Sequence, residues 1–248
     1  MKETYNLKPL WSFLLEIYKE IQKICKVYGL RHWGTGGTIL GAIRHHGFIP
    51  WDDDFDLMMP RPDYKRFVEV ANQMLPSKFR WRSVEIDDDY DLTFGKIYLI
   101  DEMMVDDLRR ATNLDLAKGV FVDIFPIDGQ PNTSLGLIVY KGIRALLRRL
   151  PLNTPKGRRF YQKYLSLLPY DRQKYIGVAN EDSYKKHRCW WPKKWFDETV
   201  ELPFESITVP FPKEYMSFIE NHYRNWRELP PESARHPAHQ TLEYCQYL

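Results

Sequence analysis

Four acidic residues inside an apolar segment constrain the fold of this chain more than any other feature. The stretch "GFIPWDDDFDLMMPR", residues 47–61, contains four carboxylates: Asp52, Asp53, Asp54 and Asp56. Large apolar side chains flank and interrupt these acids, which is not typical of an acidic loop in solvent. If residues 54–58 form a strand, alternate side chains point to opposite faces. Asp54 and Asp56 would then share one face, while Phe55 faces the core.

Two carboxylates on one strand face are about 7 Å apart and repel each other. A divalent cation between them relieves this repulsion, and Mg²⁺ or Mn²⁺ binds carboxylate oxygens together with substrate phosphates. We therefore predict that Asp54 and Asp56 are metal ligands. Asp52 and Asp53 are either orienting residues or ligands of a second metal, or they are acids of a turn. An EF-hand is excluded, because Leu57 stands where that loop requires glycine.

A glycine-rich turn, "GTGGT", precedes the acidic segment and leads into a predicted helix. Free backbone N–H groups at such a helix start can bind phosphate, so we predict phosphate contacts at Gly36, Gly37 and Thr38. Neither a Walker A motif nor a GxGxxG motif is present. Arg44, further along the same helix, could reach an anionic group, although a surface arginine fits its spacing equally well.

A third acid and a lysine occur in two later segments with strand character. The segment "GVFVDIFPID" places Asp123 inside an apolar run, with Asp128 just beyond it. A buried carboxylate costs free energy unless it is paired or bound to a metal. Asp123 is therefore predicted to be a ligand or a general base, with a capping role as the alternative. Lys96, in "TFGKIYLI", is either a phosphate contact or a solvent-facing residue of a half-exposed strand.

The order of predicted elements indicates an α+β fold with a mixed β-sheet flanked by helices. The predicted helices cover residues 9–28, 38–46, 63–75, 135–150, 158–168, 171–184 and 213–226. The predicted strands cover residues 30–33, 54–58, 79–85, 92–100, 103–105, 120–125 and 206–209. Helices and strands mix without strict alternation, which favours a mixed sheet over a parallel one. We predict one domain: a core at about 9–130, a helical, basic insert at about 131–196, and a strand and helix returning to the core at about 197–248.

Charge and cysteine content exclude several classes of protein. A formal net charge of +3 is too small for a dedicated nucleic-acid binder. The three cysteines are far apart and form neither a disulfide framework nor a CxxC metal site, which favours a reducing cytoplasm. Charges interrupt each apolar run at the N-terminus, so we expect no signal peptide and no membrane span. We expect a soluble protein.

A basic segment within the predicted insert, "YKGIRALLRRL", mixes cationic and apolar residues. Such a helix is compatible with peripheral contact at the inner, anionic face of a membrane. A basic surface on a packed helix explains the same pattern.

Several motifs together resemble the LicD family. The long segment "GTGGTILGAIRHHGFIPWDDDFDLMMPRPDY" is similar to the N-terminal signature of that family, and "FGKIY", "GVFVDIFPID" and "RELPPESARHPAH" are similar to later segments in the same order. The similarity covers roughly residues 9–239. Ile39 stands at a leucine position, and "YRNWRELPP" stands where the family often has Tyr-Gly-Asp. The second departure bears on the choice of acceptor rather than on the acids.

The resemblance implies a nucleotidyltransferase-like fold, in which a Gly-Gly-Thr turn and an Asp-x-Asp strand hold nucleotide phosphates and a metal. It implies an enzyme that moves a phospho-alcohol, foremost phosphocholine from CDP-choline, to a hydroxyl of a cell-surface glycan such as a teichoic acid or lipopolysaccharide, or of its lipid-linked precursor. CMP would leave. Fukutin-like relatives use CDP-ribitol instead. In this scheme Arg44 and Lys96 join the Gly-Gly-Thr turn in binding phosphate, and Asp123 completes the metal site or accepts the proton.

Other functions share this set of acids. A nucleotidyltransferase would add a nucleoside monophosphate to a small hydroxyl substrate, and a related transferase would use CDP-ribitol or CDP-glycerol. A metal-dependent glycosyltransferase also uses Asp-x-Asp, but the preceding Gly-Gly-Thr turn argues against it. A non-catalytic interaction module would tolerate substitution of the acids. One metal and two metals are both compatible with the sequence.

Overall fold

A computed structural model describes residues 6–90, 92–100, 120–147, 149, 154–178, 190–223 and 225–238. Within these residues, seven strands belong to one sheet and two more form a separate hairpin. The strands are β1 (Trp33–Gly34), β2 (Asp56–Pro60), β3 (Phe79–Arg82), β4 (Gly95–Leu99), β5 (Phe121–Gln130), β6 (Tyr175–Val178), β7 (Trp191–Pro192), β8 (Thr199–Phe204) and β9 (Ile207–Pro212). The helices are α1 (Lys8–Tyr28), α2 (Gly36–His45), α3 (Arg61–Met74), α4 (Ser134–Leu147), α5 (Pro155–Leu165) and α6 (Tyr215–His222).

Helix α1 follows directly from its sequence periodicity. Its apolar residues recur every three or four positions, and this stripe is buried in the main core. A proline in the first turn costs no hydrogen bond. The helix ends at Gly29, which adopts the left-handed conformation that glycine tolerates and whose N–H bonds to the carbonyl of Cys25. The prediction for residues 9–28 is therefore confirmed.

The central strands of the sheet run in the order β1-β2-β5-β4-β3, with β6 and β7 attached to β5. Strands β2 and β5 are parallel, whereas the other described pairs in this sheet are antiparallel. The register places Asp56 beside Asp123, and Asp123 beside Lys96. Three polar residues far apart in the sequence therefore lie in one row across β2, β5 and β4.

The α+β fold class is confirmed, but several predicted elements are wrong. Residues 171–184 were predicted to be helical, whereas Tyr175–Val178 is strand β6 and pairs with the end of β5. Pairing with the edge of β5 decides the conformation of this segment, and residues 179–184 of the predicted helix lie outside the described residues. The prediction also missed β8, because Pro203 interrupts its pattern. Within the described residues that strand pairs with β9 alone, and a proline is tolerated in such an edge strand.

Boundaries differ elsewhere by a few residues. The helix predicted at 213–226 is shorter, since α6 ends at His222. The acidic strand begins at Asp56 rather than at residue 54. The strand predicted at 103–105 lies outside the described residues, and the division of the chain into core and insert stays a prediction. In the described part of the chain, no helix combines the length and the apolar character that a membrane crossing requires.

Candidate active site

The acidic segment is held by the apolar residues that alternate with its acids. Phe55 and Leu57 are fully buried in the main core. The Phe55 ring contacts the rings of Tyr18 and Phe204. The Phe55 carbonyl accepts a hydrogen bond from the N–H of Asp123 at 3.0 Å. This packing fixes the backbone on both sides of Asp56, as the predicted alternation required.

The Gly-Gly-Thr turn is joined to the start of β2 by two hydrogen bonds. The N–H of Thr35 donates to the Asp56 carbonyl at 3.1 Å, and the N–H of Asp56 donates to the Thr38 hydroxyl at 2.8 Å. Among the described residues, no side chain caps α2, so its first N–H groups are available to an anion, and the helix dipole adds positive potential there. The first turn of α2 therefore faces the acidic segment as a phosphate site would.

Two glycines allow carboxylates to lie directly against this helix start. A Cβ atom built on Gly36 would lie 2.2 Å from Oδ2 of Asp56, and one built on Gly37 would lie 2.2 Å from Oδ2 of Asp52. Gly36 also has a φ of +52°, which disfavours other residues. Any side chain at either position must displace a carboxylate.

A Gly37→Ala substitution is therefore expected to reduce turnover about a hundredfold, because displacement of a reacting group by an ångström has effects of that size. The measurement is the initial rate of product formation, with circular dichroism to verify folding. Gly142→Ala is the matched control, because nothing lies within 4 Å of a Cβ at that helical position. Wild-type turnover in Gly37→Ala would contradict a role for the Asp52 carboxylate.

Electrostatic repulsion links the acids of this segment. Burial raises the pKa of Asp56 well above its ordinary value, and the charges of Asp54, Asp123 and Asp52 raise it further, while Lys96 opposes this effect. Burial likewise raises the pKa of Asp52, with contributions from Asp54 and Asp53. The side chains of Asp52 and Asp54 are also hydrogen-bonded. These carboxylates are close enough to repel one another, and a bound cation would stabilise them.

Asp123 and Lys96 form a buried ion pair at one end of the row that crosses β2, β5 and β4. Lys96 Nζ lies 2.7 Å from Oδ1 of Asp123 and 3.4 Å from the centre of the Phe121 ring. Lys96 is only 6% exposed, so the alternative of a solvent-facing lysine is wrong. The pair compensates both buried charges and keeps an ammonium group near Asp56.

Asp53 differs from Asp52 in that it contacts the C-terminal segment of the described chain. Its Oδ1 atom accepts a hydrogen bond from the backbone N–H of Ala238 at 3.0 Å, and the residue is 1% exposed. Asp53 therefore anchors the C-terminal segment beside the site. A contact between residues 185 positions apart has no signal in the local sequence.

Arg44 also contacts this C-terminal segment. Its Nη1 atom donates to the carbonyls of Trp226 and Glu228, at 3.1 and 3.4 Å. Arg44 lies in the last turn of α2 rather than in the first, and burial lowers the pKa of its guanidinium, while the charge of Asp52 acts in the opposite direction. Its predicted contact with a phosphate stays a prediction.

A cavity of about 470 Å³ opens beside Trp51, the residue that precedes Asp52. Its walls are mostly apolar and aromatic, with Trp51 and Trp226 on the lining together with Arg44. Nε of Arg44 and Nε1 of Trp226 have no hydrogen-bond partner among the described residues. The guanidinium of Arg235 lies 5.4 Å from the centre of the Trp51 ring. Aromatic walls with free N–H donors suit a polar ring such as a sugar.

The acids fit a metal ion that arrives with a substrate. In the part of the chain that the structure describes, no three His, Cys, Asp or Glu side chains form a ready-made metal cluster. Mg²⁺ commonly binds one or two carboxylates and completes its shell with phosphate oxygens and water. Asp54 and Asp56 could supply those carboxylates, with Asp52 beside them, whereas Asp123 is held by Lys96.

Comparisons with known proteins agree on one family. The family model "LicD/FKTN/FKRP, nucleotidyltransferase domain" matches residues 29–143. The lipopolysaccharide cholinephosphotransferase LicD of Haemophilus influenzae is 30% identical over 257 residues, which cover 91% of this chain and 92% of that protein. The human ribitol 5-phosphate transferase FKRP is 43% identical over 44 residues, which cover 18% of this chain and 9% of that protein. The matched 44 residues thus form only a small part of FKRP.

Proposed function

The chain belongs to the LicD family, and from this we propose that it transfers a phospho-alcohol, foremost phosphocholine, from a cytidine diphosphate donor to a glycan hydroxyl. The acceptor would be a cell-surface glycan or its lipid-linked precursor, and CMP would leave. The observation that carries the proposal is that the carboxylates of Asp52 and Asp56 lie against the start of α2, which no described side chain caps. This arrangement pairs a phosphate site with ligands for a hard cation.

The donor would bind at the end of the row that contains Lys96. The N–H groups at the start of α2 and the Lys96 ammonium are the proposed contacts of the donor diphosphate. The Thr38 hydroxyl accepts a hydrogen bond from the backbone N–H of Asp56. The same hydroxyl can donate to a phosphate oxygen. Asp54 and Asp56 are the proposed ligands of Mg²⁺ or Mn²⁺, which would neutralise charge on the diphosphate. Asp123 would complete the site by holding Lys96 in place.

The acceptor would enter from the cavity that Trp51 and Arg44 line. Displacement at phosphorus requires the attacking and leaving oxygens to be roughly in line, so acceptor and nucleotide must approach from opposite sides. Asp52 directly follows Trp51 of the cavity lining and would orient the attacking hydroxyl or accept its proton. Arg44 would contact an anionic group of a substrate on this side. Asp123, predicted from sequence to be a metal ligand or a general base, lies beside Lys96 and stays a candidate for both roles.

A donor screen tests this proposal. With Mg²⁺, the preferred compound among CDP-choline, CDP-ribitol and CDP-glycerol is expected to stabilise the protein by about 2.7 kcal/mol at a hundredfold excess over its Kd. For a chain of this size the melting temperature would rise by roughly 5–10 °C. Mass spectrometry of lipopolysaccharide or teichoic acid incubated with enzyme and that donor should show added phospho-alcohol, with equimolar CMP released.

Two results would contradict the proposal. If CTP supports transfer of a nucleoside monophosphate to a small hydroxyl compound and CDP-alcohols do not, the protein is a nucleotidyltransferase. If donor and Mg²⁺ stabilise the double variant Asp54→Asn with Asp56→Asn as much as they stabilise the wild type, these acids do not hold the metal. Asp197→Asn, at an exposed position away from the row, is the control for both measurements.

A further inference from the structure

Helix α4 has its apolar side on the outside of the protein. Five large aliphatic residues of this helix are exposed: Leu135, Ile138, Val139, Ile143 and Leu146. Their spacing of three or four residues places them on one face of the helix. Leu135 is 72% exposed and Ile138 is 68% exposed. We refer to these five residues as the apolar stripe.

The opposite side of α4 carries polar groups and is buried. Tyr140 and Arg144 are the buried residues of this helix. The Tyr140 hydroxyl donates to the carbonyl of Leu165, and the Tyr140 ring stacks on Tyr164 of α5 with ring centres 5.3 Å apart. In an ordinary surface helix the aliphatic side would face the core and the arginine would face water. An exposed stripe of this kind marks an interaction surface.

The segment that contains the apolar stripe is rich in cations. Residues 131–170 include eight lysines or arginines and no aspartate or glutamate. Within the described part of this range, the exposed cations include Lys141 on α4, and Lys156, Arg159 and Lys163 on α5. Phe160 and Leu167, on and just after α5, are exposed as well. Arg159 pairs with the exposed Asp88, so cations are in excess here but are not the only charges. An apolar face with such an excess of cations beside it is complementary to a surface that is apolar inside and anionic outside.

We propose that the apolar stripe binds the surface of an anionic lipid bilayer, with α4 lying in the plane of the interface. Aliphatic side chains would enter the boundary between headgroups and acyl chains, and the surrounding cations would contact lipid phosphates. The long stems of lysine and arginine allow these contacts while the helix lies flat. A protein partner would need an unusually acidic surface around its apolar patch, whereas an anionic bilayer has this composition everywhere.

This surface is separate from the carboxylate row and requires neither donor nor metal. It would hold the enzyme where a lipid-linked acceptor is available. Binding to vesicles can therefore be measured without turnover, and its result does not depend on the identity of the transferred group.

Vesicle flotation tests the proposal. Wild-type protein is expected to bind vesicles of phosphatidylcholine with phosphatidylglycerol. Its affinity for vesicles of phosphatidylcholine alone should be at least roughly tenfold lower, because each cation near an anionic surface contributes about a fivefold gain in affinity. Leu135→Gln with Ile138→Gln should reduce binding to anionic vesicles at least roughly tenfold. Lys156→Gln with Lys163→Gln should reduce it by a similar factor and weaken its salt dependence.

Val27→Gln with Met74→Gln is the matched control, because both residues are exposed aliphatic positions on other helices. Circular dichroism verifies that each variant folds. The proposal is overturned if the stripe variant binds vesicles like the wild type, or if neutral vesicles bind as tightly as anionic ones. It is also overturned if wild-type protein fails to bind vesicles and forms dimers that the stripe variant does not form, because the face would then be a protein interface.

Discussion

Asp56→Asn is expected to lower transfer activity by two to three orders of magnitude and, at neutral pH without metal, to raise stability. The loss of activity follows from the position of the carboxylate, which lies against the first turn of α2 and beside Asp54 and Asp123. Removing one group that stabilises charge in a transition state commonly costs about 10²–10³ in rate. Asparagine has nearly the same shape, so the hydrogen bond from the backbone N–H to Thr38 should remain.

The gain in stability follows from the direction in which the pKa of Asp56 moves on folding. Burial and neighbouring carboxylates raise this pKa in the folded protein well above 3.8. Between the unfolded and folded pKa values the folded state binds more protons than the unfolded state, so stability falls as pH rises through this window. Each tenfold difference in proton affinity between the two states costs about 1.36 kcal/mol of stability above the window. Asparagine carries no charge and removes this cost, and the difference from wild type should vanish at low pH.

Melting temperatures measured with a chelator at several pH values test this expectation. The Asp56→Asn curve should lie above the wild-type curve at neutral pH and approach it in acid. Adding Mg²⁺ with donor should stabilise the wild type and have little effect on the variant. A variant that keeps full activity would remove Asp56 from the proposed metal site, and a variant less stable than wild type at neutral pH would contradict the repulsion.

The sequence predicted the parts of this site that depend on local pattern. Apolar residues on both sides of Asp56 indicated a buried backbone with an outward carboxylate, and the glycines of the turn before α2 indicated a close approach of backbone to an anion. Both features depend on residues within about twenty positions of each other. The apolar run around Asp123 indicated a third buried acid, and the resemblance to the LicD family added the order of the later segments.

The missed features depend on contacts between distant segments. The local pattern does not separate Asp52 from Asp53, and their difference arises because the backbone of Ala238 meets Asp53. Arg44 likewise contacts residues 226 and 228, which the pattern of its own helix does not reveal. The strand β6 forms because an edge of β5 is available to it. Tertiary partners decided these points, and local propensity is weak against them.

Another contact between distant residues joins Arg61 to Asp128. Its removal is expected to cause the largest loss of stability. Arg61 begins α3 directly after β2, and Asp128 lies in β5. Nε and Nη2 of Arg61 donate to the two carboxylate oxygens of Asp128 at 2.8 and 2.6 Å, and both residues are buried. Glu85 lies 3.8 Å from Nη1 of the same guanidinium. This bidentate pair joins β5 to the residue that directly follows β2, and these two strands carry Asp123 and Asp56.

Arg61→Met should destabilise the protein by about 3–5 kcal/mol, because it leaves the Asp128 carboxylate buried without its cation. The melting temperature would fall by roughly 6–20 °C for a domain of this size. Arg66→Met is the matched control: it removes an arginine from the same helix whose ion pair with Glu69 is exposed, so the change should stay below about 1 kcal/mol. Urea unfolding of both variants measures the difference.

The double variant Arg61→Met with Asp128→Leu separates charge from packing. Replacing both members of a buried ion pair by apolar residues often restores stability, whereas replacing one member does not. If the double variant recovers most of the lost free energy, the cost in Arg61→Met comes from the unpaired Asp128 charge. If it recovers none, the bidentate geometry itself aligns β2 with β5, and turnover should then fall together with stability, since the spacing of Asp56 and Asp123 depends on that alignment.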